Sequence, residues 1–149
     1  VDNWIKCLEL STGENIVIMG DDDRLAPDYL AEFENLIQTY PSLNVYHCRS
    51  KIIDDDGNDM LLTPALPAFE YVYDSIWHRL RQLRSNYISD YVYDTSALRA
   101  QGGFYKLPLA WGSDDITAFI ASAKKGIAHS NNTEAIAFPS LQQEMICTK

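Results

Sequence analysis

The sequence predicts an α/β domain, and two observations carry that reading. Ile16-Val17-Ile18-Met19 is an uninterrupted apolar run rich in β-branched residues, the pattern of a strand buried on both faces. Helical patterns flank it on either side, one over Asp2–Leu10 and one opening at Pro27, so strand and helix alternate. Three consecutive carboxylates, Asp21, Asp22 and Asp23, stand at the end of that strand. Like charges this close repel, so stability alone gives no reason to gather them there. Hard divalent cations remove the objection, because they bind through one or two carboxylates together with substrate phosphates. Ligands of open α/β sheets bind just beyond the carboxyl ends of strands, so place and chemistry agree. The same triplet also suits an Asp-rich capping turn ahead of the helix at Pro27.

The chain has 149 residues, long enough for one domain with a real core. With 46% hydrophobic and 22% charged residues it has the composition of a globular protein. A net charge of −9 argues against a general nucleic-acid or anionic-membrane surface. Cys7, Cys48 and Cys147 are odd in number and widely spaced, which fits reduced structural thiols and no zinc site. No run reaches the length of a membrane span.

In chain order, Trp4, Ile5 and Leu8 share one face of a first helix, which Ser11-Thr12-Gly13 ends. A helix that feeds a buried parallel strand is the second half of a βαβ unit, and its first strand is not in this chain. The chain is therefore expected to be part of a longer protein. Pro27 to Thr39 reads as a helix with Leu30, Phe33, Leu36 and Ile37 inward. Asn44 to Cys48 is a short strand, Lys51-Ile52-Ile53 is extended, and Asp54-Asp55-Asp56-Gly57 is a hairpin turn without the ligand ladder of a calcium loop. Phe69 to Arg84 is the most amphipathic stretch, predicted as a core-packing helix with Phe69, Val72, Tyr73, Ile76, Trp77, Leu80 and Leu83 inward. Its Arg79, Arg81 and Arg84 form a solvated basic edge, and His78 is a surface residue. Tyr87 to Tyr93 alternates as a strand, and Thr95 caps a short helix ended by Gly102-Gly103. Ser113 caps a helix carrying Ile116, Phe119, Ile120 and Ala123 inward, with Asp114 and Asp115 in its first turn, where the dipole favours acids. Ile127 to His129 is a last strand, and the tail from Pro139 has no clear pattern.

Taken together, these stations resemble family 2 glycosyltransferases. Gly13-Glu14-Asn15, the apolar strand, Asp21-Asp22-Asp23, then Leu25, Pro27 and Leu30 are similar to that family's metal-binding (DxD) segment. Ser96 to Phe104 is similar to its short helix ending in Gly-Gly-Phe, and Asp114-Asp115 stand where it carries a Glu-Asp pair. The resemblance implies a GT-A-like fold (nucleotide-diphospho-sugar transferase), a sheet with flanking helices, incomplete at its N-terminal side. Residues 1–149 would form a partial GT-A domain lacking the N-terminal nucleotide-binding strands, inactive by itself.

The implied cofactor is Mg²⁺ or Mn²⁺, and the implied donor is a nucleotide sugar. Asp22 would bind metal and donor, Asp21 would lie against the donor ribose or assist the metal, and Asp23 would adjoin the metal and orient the loop. The family often has Asp where this chain has Gly20, so which carboxylate ligates stays open by one residue. Asp115 would be the general base of an inverting displacement and Asp114 an acceptor contact. Trp111 and Tyr105 suit either sugar stacking or core packing, and His129 could approach the metal from the last strand. The acceptor would be a saccharide or lipid-linked saccharide, in bacterial surface polysaccharide synthesis. The location would be cytoplasmic, soluble or peripheral at the inner face of the cell membrane. A bare sheet edge offers a route to a homo-oligomer. The alternative is a non-catalytic α/β binding or assembly module that keeps the fold. A Mg²⁺ phosphotransferase using the Asp triplet is the weaker reading, because the sequence has no phosphate-cradling Gly-rich loop and no partner lysine motif.

Overall fold

The computed structural model describes residues 1–137. Seven strands make one mixed sheet: β1 (Asn15–Val17), β2 (Arg24–Leu25), β3 (Val45–Ile53), β4 (Asp59–Leu62), β5 (Phe69–Glu70), β6 (Tyr91–Asp94) and β7 (Ile127–Ala137). Their order is β1-β6-β3-β7-β2, with β4 added to β3 and β5 to β7. Only β3 and β7 pair in parallel; the other pairings are antiparallel. Five helices flank the sheet: α1 (Asp2–Leu10), α2 (Tyr29–Thr39), α3 (Val72–Leu80), α4 (Thr95–Ala100) and α5 (Ser113–Ser122).

The two-residue period of the strands sorts the core into two layers. Val45, Tyr91, Tyr93 and Ile127 face one way, onto Leu8, Leu98, Phe104, Ala118 and Ala121 of α1, α4, α5 and the loop between the last two. Their neighbours Tyr46, Val92 and Ala128 face the other way, onto Tyr29, Phe33 and Leu36 of α2. The first helix forms as expected, with Leu8 buried and Trp4 and Ile5 packed on the core. The second Asp triplet is a hairpin turn, with Asp54 Oδ1 accepting from the Asn58 and Asp56 amides at 2.8 and 3.0 Å.

Several expectations need correction. β1 is only three residues long and antiparallel to β6, and Met19 is exposed as the chain leaves the sheet toward the acidic loop. α2 begins at Tyr29, because Ala26 to Tyr29 first closes a turn, and Leu30 is exposed. The strand expected at Asn44–Cys48 continues through Ile53.

The amphipathic stretch splits in two. Phe69 and Glu70 form β5 against Ala128 and Ile127, and the helix covers only Val72–Leu80 before Gln82 breaks it with a φ of 56°. Tyr73, Trp77, Leu80 and Leu83 are exposed, so this is not a core-packing helix. Arg79 and Arg84 are not a solvated edge either; each turns inward to a carboxylate. Ion pairing, not apolar burial, decides the orientation of this helix. Arg81 stays outside, 5.3 Å above the Trp77 ring, and His78 Nδ1 lies 2.7 Å from the Asp74 carbonyl.

Ile88–Asp90 is a 3₁₀ turn, and β6 starts only at Tyr91. Asp94 rather than Thr95 caps α4, its Oδ1 accepting from the Ala97 amide at 2.7 Å. α5 is preceded by Gly112 at φ 72°, since the Ser113 hydroxyl is taken by the Leu107 amide. Ile120 and Ala123 point outward; the buried face is Ser113, Thr117, Ala118, Ala121 and Ser122. Thr117 and Ser122 satisfy their buried hydroxyls on the carbonyls of Ser113 and Ala118, at 2.5 and 2.6 Å. The expected three-residue last strand is an eleven-residue central one. Cys7 is exposed and Cys48 buried; Cys147 and the tail from Pro139 lie outside the described residues.

Candidate active site

Both acidic stations follow an element that leaves the core: the loop after β1, and the first turn of α5. Asp21 and Asp22 are exposed, while Asp23 is half-buried. Asp23 Oδ2 accepts from the Ser89 hydroxyl at 2.6 Å and from the Gly20 amide at 3.3 Å. Burial raises the Asp23 pKa, the Asp22 and Asp21 charges add to the rise, and the bonds from Ser89 and Gly20 oppose it.

Gly20 explains how two of these carboxylates come together. A Cβ built there would stand 2.8 Å from Asp23 Oδ2 and 2.9 Å from Asp22 Oδ1, so both oxygens converge on its bare Cα. The lack of a side chain at this position is what lets both carboxylates approach it. Gly20→Ala should therefore leave folding almost unchanged, because only flexible carboxylate ends need move. If the pair holds Mn²⁺, the change should weaken its binding by about tenfold, or about 1.4 kcal/mol, in an isothermal titration. Unchanged affinity would separate Gly20 from any cation site.

Asp115 is buried and held at both oxygens: Arg79 Nε donates to Oδ2 at 2.7 Å, and Asn86 Nδ2 donates to Oδ1 at 3.1 Å. Asp114 beside it is partly buried, and burial together with the Asp115 charge pushes its pKa up to about 6, against backbone hydrogen bonds and Arg79. Trp111 and Tyr105 are exposed on the segment that leads into α5. Among the described residues, neither side chain hydrogen-bonds to either station.

The link between the stations is a segment that sequence reasoning missed. Asn86 holds Asp115, and Ser89, three residues on, holds Asp23. Three residues of backbone span at most about 10 Å, so the corners belong to one neighbourhood. Asp90, fully buried behind them, feels the charges of both Asp23 and Asp114. Ser89 and Asp90 fall within the stretch that alternates like a strand, Asn86 lies just before it, and no local pattern marks any of them as a polar support.

Behind this segment runs a buried polar chain. Arg84 pairs with Glu70 through both terminal guanidinium nitrogens, Nη1 and Nη2, and His129 Nε2 lies 3.1 Å from Glu70 Oε1. His129 Nδ1 lies 3.2 Å from His47 Nδ1, and His47 Nε2 is 3.7 Å from Asp90 Oδ2. Burial works against ionising Glu70, yet hydrogen bonds from His129 and Arg84 outweigh it and pull its carboxyl down to about 2. Burial drives both histidines below their ordinary values. With Glu70 ionised, His129 donates from Nε2 and accepts at Nδ1 from His47, which leaves His47 Nε2 bare. His129 therefore spends both ring nitrogens inside the core, which corrects the expectation that it could approach a metal.

Among the described residues, no group of three or more His, Cys, Asp or Glu side chains forms a metal cage. The carboxylate pair at Gly20 is a hard-oxygen set that fits a cation completed by substrate phosphates rather than one enclosed by protein.

The sheet and its flanking helices form a glycosyltransferase-like α/β fold. The solved structures it matches include S. aureus TarS residues 1–349. In complex with UDP-GlcNAc that protein aligns at a TM-score of 0.70 and 14% identity, covering 97% of this chain and 40% of its own. With UDP the values are 0.65 and 15%, covering 92% and 39%, and a third TarS structure gives 0.64 and 14%, covering 89% and 38%. This chain thus spans about 40% of the length of the TarS chains it matches. No protein-family model and no curated protein matches it. No helix among the described residues is long and apolar enough to cross a membrane.

Proposed function

We propose that the chain is part of an inverting, family 2 type glycosyltransferase domain that moves a sugar from a nucleoside diphosphate to a hydroxyl acceptor. The observation that carries this reading is the shared support of the two stations, Ser89 on Asp23 and Asn86 on Asp115. Asp115 takes the proton of the acceptor hydroxyl as its oxygen attacks the anomeric carbon. The bond from that carbon to the diphosphate oxygen breaks in the same step, and the nucleoside diphosphate leaves with the electron pair. A single displacement of this kind inverts the anomeric centre. Asp21 and Asp22 face the donor, with Asp22 and Asp23 as the side chains that would hold Mg²⁺ or Mn²⁺. When bound, that ion neutralises charge on the leaving diphosphate. Asp114 and Trp111 lie on the acceptor side. The likeness to TarS, solved with UDP-GlcNAc and with UDP, supports a uridine nucleotide as the first donor to try. The setting is bacterial surface polysaccharide synthesis, with the protein cytoplasmic or peripheral at the inner membrane face and a saccharide or lipid-linked saccharide as acceptor.

A second reading is a non-catalytic binding module, favoured by one observation: Asp115 is clasped at both oxygens by Arg79 and Asn86. Calorimetry with UDP-GlcNAc, with and without Mn²⁺, separates the two. The transferase predicts binding heat that depends on the metal and a coupled gain in donor affinity; the absence of any metal-linked heat would favour the module.

A further inference from the structure

We infer that Asp90 is a positioning residue: by fixing the Asn86–Asp90 segment from inside the core, it sets the spacing between the Asp23 and Asp115 stations. The inference rests on the transferase reading for its importance, though not for its geometry. Asp90 is 0% exposed, and every contact it makes restrains that segment or ties it to the sheet. Its Oδ2 accepts from the Tyr87 amide at 2.8 Å, which closes the 3₁₀ turn on itself. The same oxygen accepts from the Ser50 hydroxyl of β3 at 2.5 Å, which pins the turn to the central strand pair. At either end of the segment Asn86 reaches Asp115 and Ser89 reaches Asp23. One fully buried carboxyl thus restrains the supports of the two acidic stations.

The unpartnered atoms support this. His47 Nε2 and Asp90 Oδ1 are both buried without a hydrogen-bond partner among the described residues. Such atoms are costly, and they persist where the surroundings over-determine the geometry. Burial, reinforced by the charges of Asp23 and Asp114, raises Asp90 well above the usual carboxylate range. Asparagine matches aspartate in shape: its carbonyl oxygen can keep the bonds accepted from Tyr87 and Ser50, and its amide nitrogen stands where Oδ1 stands.

That equivalence gives a test that needs no substrate. Nitroxide labels at Met19→Cys and Trp111→Cys, both exposed positions beside the two stations, report their separation by pulsed electron resonance once Cys7 and Cys147 are changed to serine. The expected result is one narrow distance in the parent protein, the same distance in Asp90→Asn, and loss of that single distance in a folded Asp90→Leu. A narrow distance in Asp90→Leu overturns the inference, as does broadening in Asp90→Asn equal to that in Asp90→Leu. Should Asp90→Leu not fold, Ser50→Ala removes the tie to β3 and is held to the same outcomes. A protein that binds no nucleotide sugar would remove the transferase reading and leave this measurement standing.

Discussion

On the transferase reading, Asp115→Asn in the whole transferase domain should reduce sugar transfer by about 10²- to 10⁴-fold while leaving Mn²⁺-linked binding of UDP-GlcNAc in place. The two effects separate because Asp115 and the Asp21–Asp23 loop are held by different atoms of one segment, Asn86 and Ser89. An asparagine at position 115 still fills the site and can still accept from Asn86 or Arg79, but it cannot take a proton. The reading therefore requires a fall in kcat at nearly constant donor affinity. Equal transfer by the variant would remove Asp115 from the chemistry. Asp114→Asn serves as the control, because Asp114 is the acid whose pKa lies near 6. If the proton goes to Asp114 instead, the larger loss moves to that variant.

What the sequence made legible follows from the range of each signal. The strand at Ile16, the acidic turn, the hairpin at Asp54–Asp56 and the glycine stop after α4 are written within a few residues, so local rules reach them. The orientation of α3 was not legible. Its apolar spacing named Tyr73, Trp77 and Leu80 as core, whereas Glu70 and Asp115, at 14 and 36 residues from their partners, draw Arg84 and Arg79 inward. A long-range ion pair leaves no periodicity behind. α5 failed for a related reason: hydroxyls that bond their own helix let Thr117 and Ser122 be buried, where a hydropathy pattern expects Ile120. At the candidate site the carboxylates stood out as clusters. Their supports did not, since Asn86 and Ser89 become partners of Asp115 and Asp23 only when β1 pairs with β6 and α5 packs beside them.

Arg84→Met should destabilise the protein by about 3–5 kcal/mol in urea denaturation, because it leaves the buried Glu70 carboxylate without its cation. Arg84→Met with Glu70→Gln should recover most of that loss. The amide removes the stranded charge and still offers an oxygen to His129 Nε2–H. The pH dependence has a definite sign. The folded-state pKa of Glu70, about 2, lies below its unfolded value of about 4.3, so its stabilisation is present above the unfolded value and lost as pH falls toward 2. Asp114 acts oppositely: its contribution is present below about pH 4 and disappears as pH rises through about 6. Glu70→Gln should erase the acid limb of the profile and leave the limb between pH 4 and 6 intact. If the acid limb survives in Glu70→Gln, the Arg84–Glu70–His129 chain is not what holds β5 and the segment after α3 against the sheet.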